Sequence, residues 1–180
     1  MQTHLALLRG INVSGTKMIK MDALSKALQT IGFLNVQTYI QSGNVFVDSA
    51  ETSSKVSFMI KQEIFKTFGH DVPVIMVSYD DLKSCLVNNL FLSNPTIDLK
   101  MLYVAFVSKE LNENCIHDLK TSNFKPDEVQ IDKNKIYIKY HIGAGKTKLD
   151  ANYIEKKLNS TATIRNWNTI NKMLELYEQR

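Results

Sequence analysis

The sequence is poor in cysteine and histidine and has no long apolar run. Its two cysteines, Cys85 and Cys115, are far apart and each falls within a helical pattern. That excludes a disulfide framework, and predicts reduced, buried thiols in a cytoplasmic protein. His4, His70, His117 and His141 are scattered without metal-ligand spacing, so no structural metal and no cofactor are expected. The longest apolar run is Met101–Val107, far short of the roughly 20 residues a membrane helix needs. The start, MQTHLALLRG, has no basic stretch, extended apolar region or small-residue cleavage site, and so does not read as a signal peptide.

What remains is a globular composition. At 180 residues and 44% hydrophobic, the chain can bury a core as one domain or two small ones. The net charge of +4 is unevenly placed. Residues 1–132 carry 12 Lys/Arg against 14 Asp/Glu, and residues 133–180 carry 10 against 4. The basic end suits an anionic partner.

Thr38–Val47, TYIQSGNVFV, reads as two strands joined at Ser42-Gly43, with Val36, Thr38 and Ile40 on one face and Gln37, Tyr39 and Gln41 on the other. Gly43 supplies the positive φ that such a turn requires. Around this hairpin the pattern predicts a strand at His4–Leu8 and a helix carrying Leu24, Ala27, Leu28 and Ile31, stopped by Gly32. A second helix, Thr52–Phe68, and a strand, Val72–Val77, complete the order βαββαβ, the ferredoxin-like unit. Ser78 with Asp81 marks a short connecting helix, followed by Leu90–Asp98.

The order then repeats: strand Lys100–Val107, helix Lys109–Lys120, and hairpin Glu128–Ile131 with Lys135–His141. After it come helix Thr147–Leu158, strand Thr161–Arg165 and a closing helix Asn168–Gln179. The prediction is an α+β protein of two ferredoxin-like units in tandem. Its parts are residues 1–78, a connection at 79–99, and residues 100–180.

In such a sheet the first strand lies antiparallel to the third, so Arg9 shares an edge with Gly43 and Asn44. In the second half the same rule puts Gly143–Lys148 beside Arg165–Asn168. Two polar clusters result. Arg9 can bind an anion or the Ser42–Asn44 turn. Ile142–Leu149, IGAGKTKL, opens a helix, but a P-loop would need glycine where Tyr140 stands. Thr147 with Asp150 reads as a capping box that leaves free N–H groups beside Lys146 and Lys148, a cradle for phosphate or carboxylate. The bland alternative is a flexible loop with solvated lysines. Arg165 either presents its fork to a planar anion or pins a carboxylate between the halves. Asn168 reads as a cap of the last helix and Trp167 as core. Tyr137, Lys139 and His141 share a strand face, where RNA-binding relatives of this fold stack bases; packing is the expected use here.

LRGINV at Leu8–Val13, TYIQSGNV at Thr38–Val45, GKTKL at Gly145–Leu149 and TIRNWNT at Thr163–Thr169 together resemble the bacterial family known as domain of unknown function 1697. The resemblance implies the same two ferredoxin-like halves and brings no established activity. Ser14, Thr16 and Met18 depart from the family's usual loop, and Lys146 stands where an arginine is common.

The expected partner is an anionic, phosphate-bearing small molecule or nucleotide. It would be bound by Arg9, Asn12, Gln41, Ser42 and Asn44 of one half and Lys146, Lys148, Arg165, Asn166 and Asn168 of the other, in one cleft between them. The alternatives are an enzyme acting by positioning and charge stabilisation, a nucleic-acid module using the basic end, and motifs that are purely structural. No membrane partner is expected.

Overall fold

The computed structural model describes residues 1–180 except the side chains of Lys120 and Thr121. Its chain order is β1 (Gln2–Leu8), α1 (Met21–Thr30), β2 (Leu34–Tyr39), β3 (Asn44–Ser49), α2 (Ser53–Phe68) and β4 (Val74–Val77), then α3 (Tyr79–Asn88) and two 3₁₀ turns. There follow β5 (Leu102–Val107), α4 (Glu113–Thr121), β6 (Glu128–Asp132), β7 (Lys135–Lys139), α5 (Ala151–Leu158), β8 (Ala162–Asn166) and α6 (Trp167–Glu178). The sheets have the orders β2-β3-β1-β4 and β6-β7-β5-β8, antiparallel at every pairing. Both are ferredoxin-like, as the repeated βαββαβ pattern predicts. The chain divides into two compact units, residues 1–78 with Tyr177–Arg180, and Tyr79–Leu176.

In the first unit, alternation along β1 sends Ala6 and Leu8 toward α1 and α2. There they meet Leu24, Leu28, Val56, Ile60 and Ile64 in one buried core. Helix α2 is bounded as its sequence demands: Thr52 Oγ1 accepts from Lys55 N, and Gly69 ends it in the left-handed conformation. The hairpin turn is wider than the alternation suggests. Ile40 lies in the turn at φ +51, with 47% of its surface exposed, and does not continue the strand face of Val36 and Thr38.

The last residues of the chain also belong to this unit. Tyr177 stacks edge-on against Phe46 at 5.8 Å and donates to the Thr3 carbonyl at 2.7 Å. Arg180 donates to Asp48 Oδ1 at 2.9 Å and Gln37 Oε1 at 3.2 Å, with its guanidinium over the Phe46 ring.

In the second unit Ala105, Val107, Ile136 and Ile138 pack with Leu119, Ile154 and Leu158. Helix α4 begins at Glu113, four residues later than the pattern suggests. The Asn112 side chain caps it by accepting from Cys115 N, which leaves Leu111 in the preceding loop. On the opposite sheet face Lys135 is 3% exposed and pairs with Asp81 of α3 at 3.0 Å.

Cys85 of α3 is buried beside the Tyr137 phenol, and burial pushes its thiol up to about 12. Cys115 is half-buried. A thiol reagent at pH 8 should therefore label one cysteine per native chain, and the second only after denaturation. Two thiols reacting at one rate would contradict this placement.

Candidate functional site

The predicted first-unit residues do come together, and hydrogen bonds explain why. The strand end and the turn are joined by Leu8 N donating to Gly43 O at 2.8 Å, while Arg9 N donates to Pro73 O at 3.0 Å. Asn12, at φ +55, is the clamp. Its amide nitrogen donates to the carbonyls of Ile19 (3.0 Å) and Gln41 (2.9 Å), and its oxygen accepts from Ile19 N at 2.8 Å. One side chain thus closes the Ile11–Ile19 loop and ties it to the turn. Asn44 is fully buried, and its amide donates to Tyr39 O and Ser42 Oγ. Arg9 and Ser42 are half-buried and the Gln41 side chain is exposed.

The five second-unit residues divide between two places. Strands β7 and β8 both flank the start of β5, with Leu102 opposite Lys139 and Tyr103 opposite Asn166, so their ends share an edge as topology requires. At the β8–α6 junction Arg165 is 6% exposed and donates to Thr163 Oγ1 (2.7 Å) and the Ile164 carbonyl (3.0 Å). The expected cap at Asn168 is displaced by two residues. Helix α6 begins at Trp167, so Asn166 is the residue placed to cap it, and its Oδ1 accepts from Asn168 N at 2.9 Å. Trp167 is core, at 2% exposed.

Lys146 and Lys148 lie elsewhere, on a cleft of about 360 Å³ lined by residues 123–127, Ile142 and 146–149. None of Arg165, Asn166 or Asn168 lines it. The predicted capping box is absent. Helix α5 starts at Ala151, and Asp150 is its N-cap, accepting from Tyr153 N at 2.8 Å. A carboxylate already occupies that helix start and disfavours a second anion beside it. Thr147 does a different job: its hydroxyl donates to Asp127 Oδ2 and accepts from Leu149 N at 2.9 Å.

Asp127 organises this loop. It is 8% exposed, and its Oδ1 accepts from His141 N at 2.9 Å. With the Thr147 bond, both carboxylate oxygens are engaged. Tyr140, also buried, donates from its phenol to the Leu149 carbonyl at 2.6 Å and pins the loop's far end. The segment is therefore held at both ends, which the flexible-loop alternative does not anticipate.

Sequence reasoning missed Lys125, the third cation on the cleft, and Phe124 beside it. Both fall in the irregular turn between α4 and β6, outside any strand register, where no periodicity marks them. Lys139 and His141 are engaged by Glu128, whose Oε1 lies 2.8 Å from each, and hydrogen bonds from both hold its carboxyl below the usual range. Lys125, Lys146 and Lys148 are exposed and form no salt bridge among the described residues.

A family model described as "Protein of unknown function (DUF1697)" matches residues 1–137. The chain belongs to this family. The match takes in the LRGINV and TYIQSGNV motifs and stops before GKTKL and TIRNWNT. The structure is also similar to that of conserved bacterial protein SP0830 from Streptococcus pneumoniae, with a TM-score of 0.70 and 22% identity. That likeness covers 97% of this chain and 98% of the other, and it shows a shared fold. No curated protein matches the chain. Among the described residues no cluster of His, Cys, Asp and Glu is arranged to hold a metal, and no helix is long and apolar enough to cross a membrane.

Proposed function

We propose that this protein binds a phosphate-bearing small molecule or nucleotide, and that the cleft of the second unit receives it. The observation that carries this reading is the convergence of Lys125, Lys146 and Lys148 on one concave site built around a pinned loop. Three ammonium groups outside any salt bridge among the described residues, gathered at one cleft, raise the local concentration of anions and supply charge-assisted hydrogen bonds. The carboxylate in the lining, Asp127, has both oxygens turned to loop donors.

The first-unit motif supports a different role. Every polar atom of the Asn12 side chain is used within the Ile11–Ile19 loop and the turn, and Asn44 is buried. These residues act as structural ties, and the ligand belongs to the lysine cleft.

The test is a calorimetric titration of the full chain with pyrophosphate at low salt. Lys146→Ala with Lys148→Ala should weaken binding by roughly tenfold or more, since hydrogen bonds to charged groups each contribute about 1.5–3 kcal/mol. Both side chains are exposed, so the melting temperature without ligand should hold steady. Unchanged affinity in the double variant would refute the assignment.

A further inference from the structure

We infer that the anion held by this cleft is a nucleotide, with its phosphates on the lysines and its base against an apolar wall. The inference rests on the reading of the cleft as an anion site. The lysines account for charge, but Phe124, Pro126, Ile142 and Leu149 line the same cleft. Inorganic phosphate makes no use of such a surface. Ile142 is 51% exposed. A single exposed isoleucine is ordinary; that it lines the cationic cleft together with half-buried Phe124 is what gives it meaning.

The wall is also fixed in advance. Phe124 meets Tyr153 edge to face, with centroids 5.4 Å apart and planes at 87°. The Tyr153 phenol bonds to Ser122 Oγ at 3.2 Å. A ring held this way loses little freedom when a planar ligand is laid over it. Planar bases pair favourably with aromatic and apolar surfaces, whereas sugar rings and dicarboxylates offer no π-face. The volume, about 360 Å³, lies within the span of small-molecule sites.

The experiment compares ADP, GDP, CDP and UDP with pyrophosphate by titration calorimetry on the full chain. All five share the diphosphate, so their difference reports the nucleoside. At least one nucleotide should bind roughly tenfold or more tightly than pyrophosphate. Phe124→Ala should bring that ratio toward one without altering pyrophosphate affinity. Should this variant lose structure through Tyr153, Ile142→Ser makes the same test from an exposed position. Equal affinities for pyrophosphate and all four nucleotides would overturn the inference and leave the anion site standing. A preference that survives both variants would also overturn it, because the base would then lie off this wall. If neither pyrophosphate nor any nucleotide binds, the anion reading fails and the inference with it.

Discussion

Gly43→Ala is expected to destabilise the protein by about 3–5 kcal/mol, a large effect for one added methyl group. Two costs coincide. At φ +76 the backbone is in the left-handed region, which a side chain rarely adopts. A Cβ at this position would also stand 2.7 Å from Leu8 Cβ and 2.8 Å from Ile11 Cδ1. Neither neighbour can retreat easily, since Leu8 and Ile11 are core residues at 0% and 2% exposure. Gly69 separates the two costs. It shares the left-handed geometry at φ +71, but a Cβ there would have open space around it. Gly69→Ala should therefore cost only about 1 kcal/mol, the backbone share. Urea unfolding of the two variants checks this, and equal losses would show that packing around the turn is looser than these distances imply.

Replacing both Tyr177 and Arg180 by alanine should remove about 3 kcal/mol at pH 7. The pair loses an edge-on aromatic contact worth about 1 kcal/mol and several hydrogen bonds of about 1 kcal/mol each, offset in part by resolvation. The Arg180 share is pH dependent. Partial burial pulls the Asp48 carboxyl up, but hydrogen bonds from Asn35, Arg180 and Thr3 outweigh that and hold it below its ordinary 3.8. A depressed carboxyl contributes stability that is fully present above its unfolded value and is lost as pH falls through the folded one. The penalty for Arg180→Ala should thus be constant near neutrality and shrink on acidification below about pH 4. Thermal or urea unfolding of Arg180→Ala from pH 7 to pH 3 measures it. A penalty that does not change with pH would mean that Arg180 acts through Phe46, Gln37 and the Asn35 carbonyl rather than through the Asp48 charge.

Much of the fold was legible because alternation and helical spacing are strong signals where a core is buried on one side. Val56, Ile60 and Ile64 gave α2, Thr52 and Gly69 bound it, and the order βαββαβ then set which strands pair. Legibility failed at element ends, where side-chain hydrogen bonds decide. Thr147 and Asp150 both look like caps in sequence. Only the partner of Thr147, an aspartate 20 residues earlier, shows that it belongs to the loop. The same contest moved the α6 cap from Asn168 to Asn166. For the site, topology brought strand ends to one edge but said nothing of which side chains face one space. Lys146 and Lys148 were singled out by their motif, whereas Lys125 and Phe124 sit in an irregular stretch with no periodicity.

Amide chemical-shift mapping can locate the anion on the lysine cleft of the second unit. Titrating pyrophosphate into the isotopically labelled chain at low salt should move resonances of residues 123–127 and 142–149, leaving residues 9–12 and 40–44 in place. Shifts confined to Arg9–Asn12 and Ile40–Asn44 would contradict the account and return the ligand to the turn that Asn12 ties down.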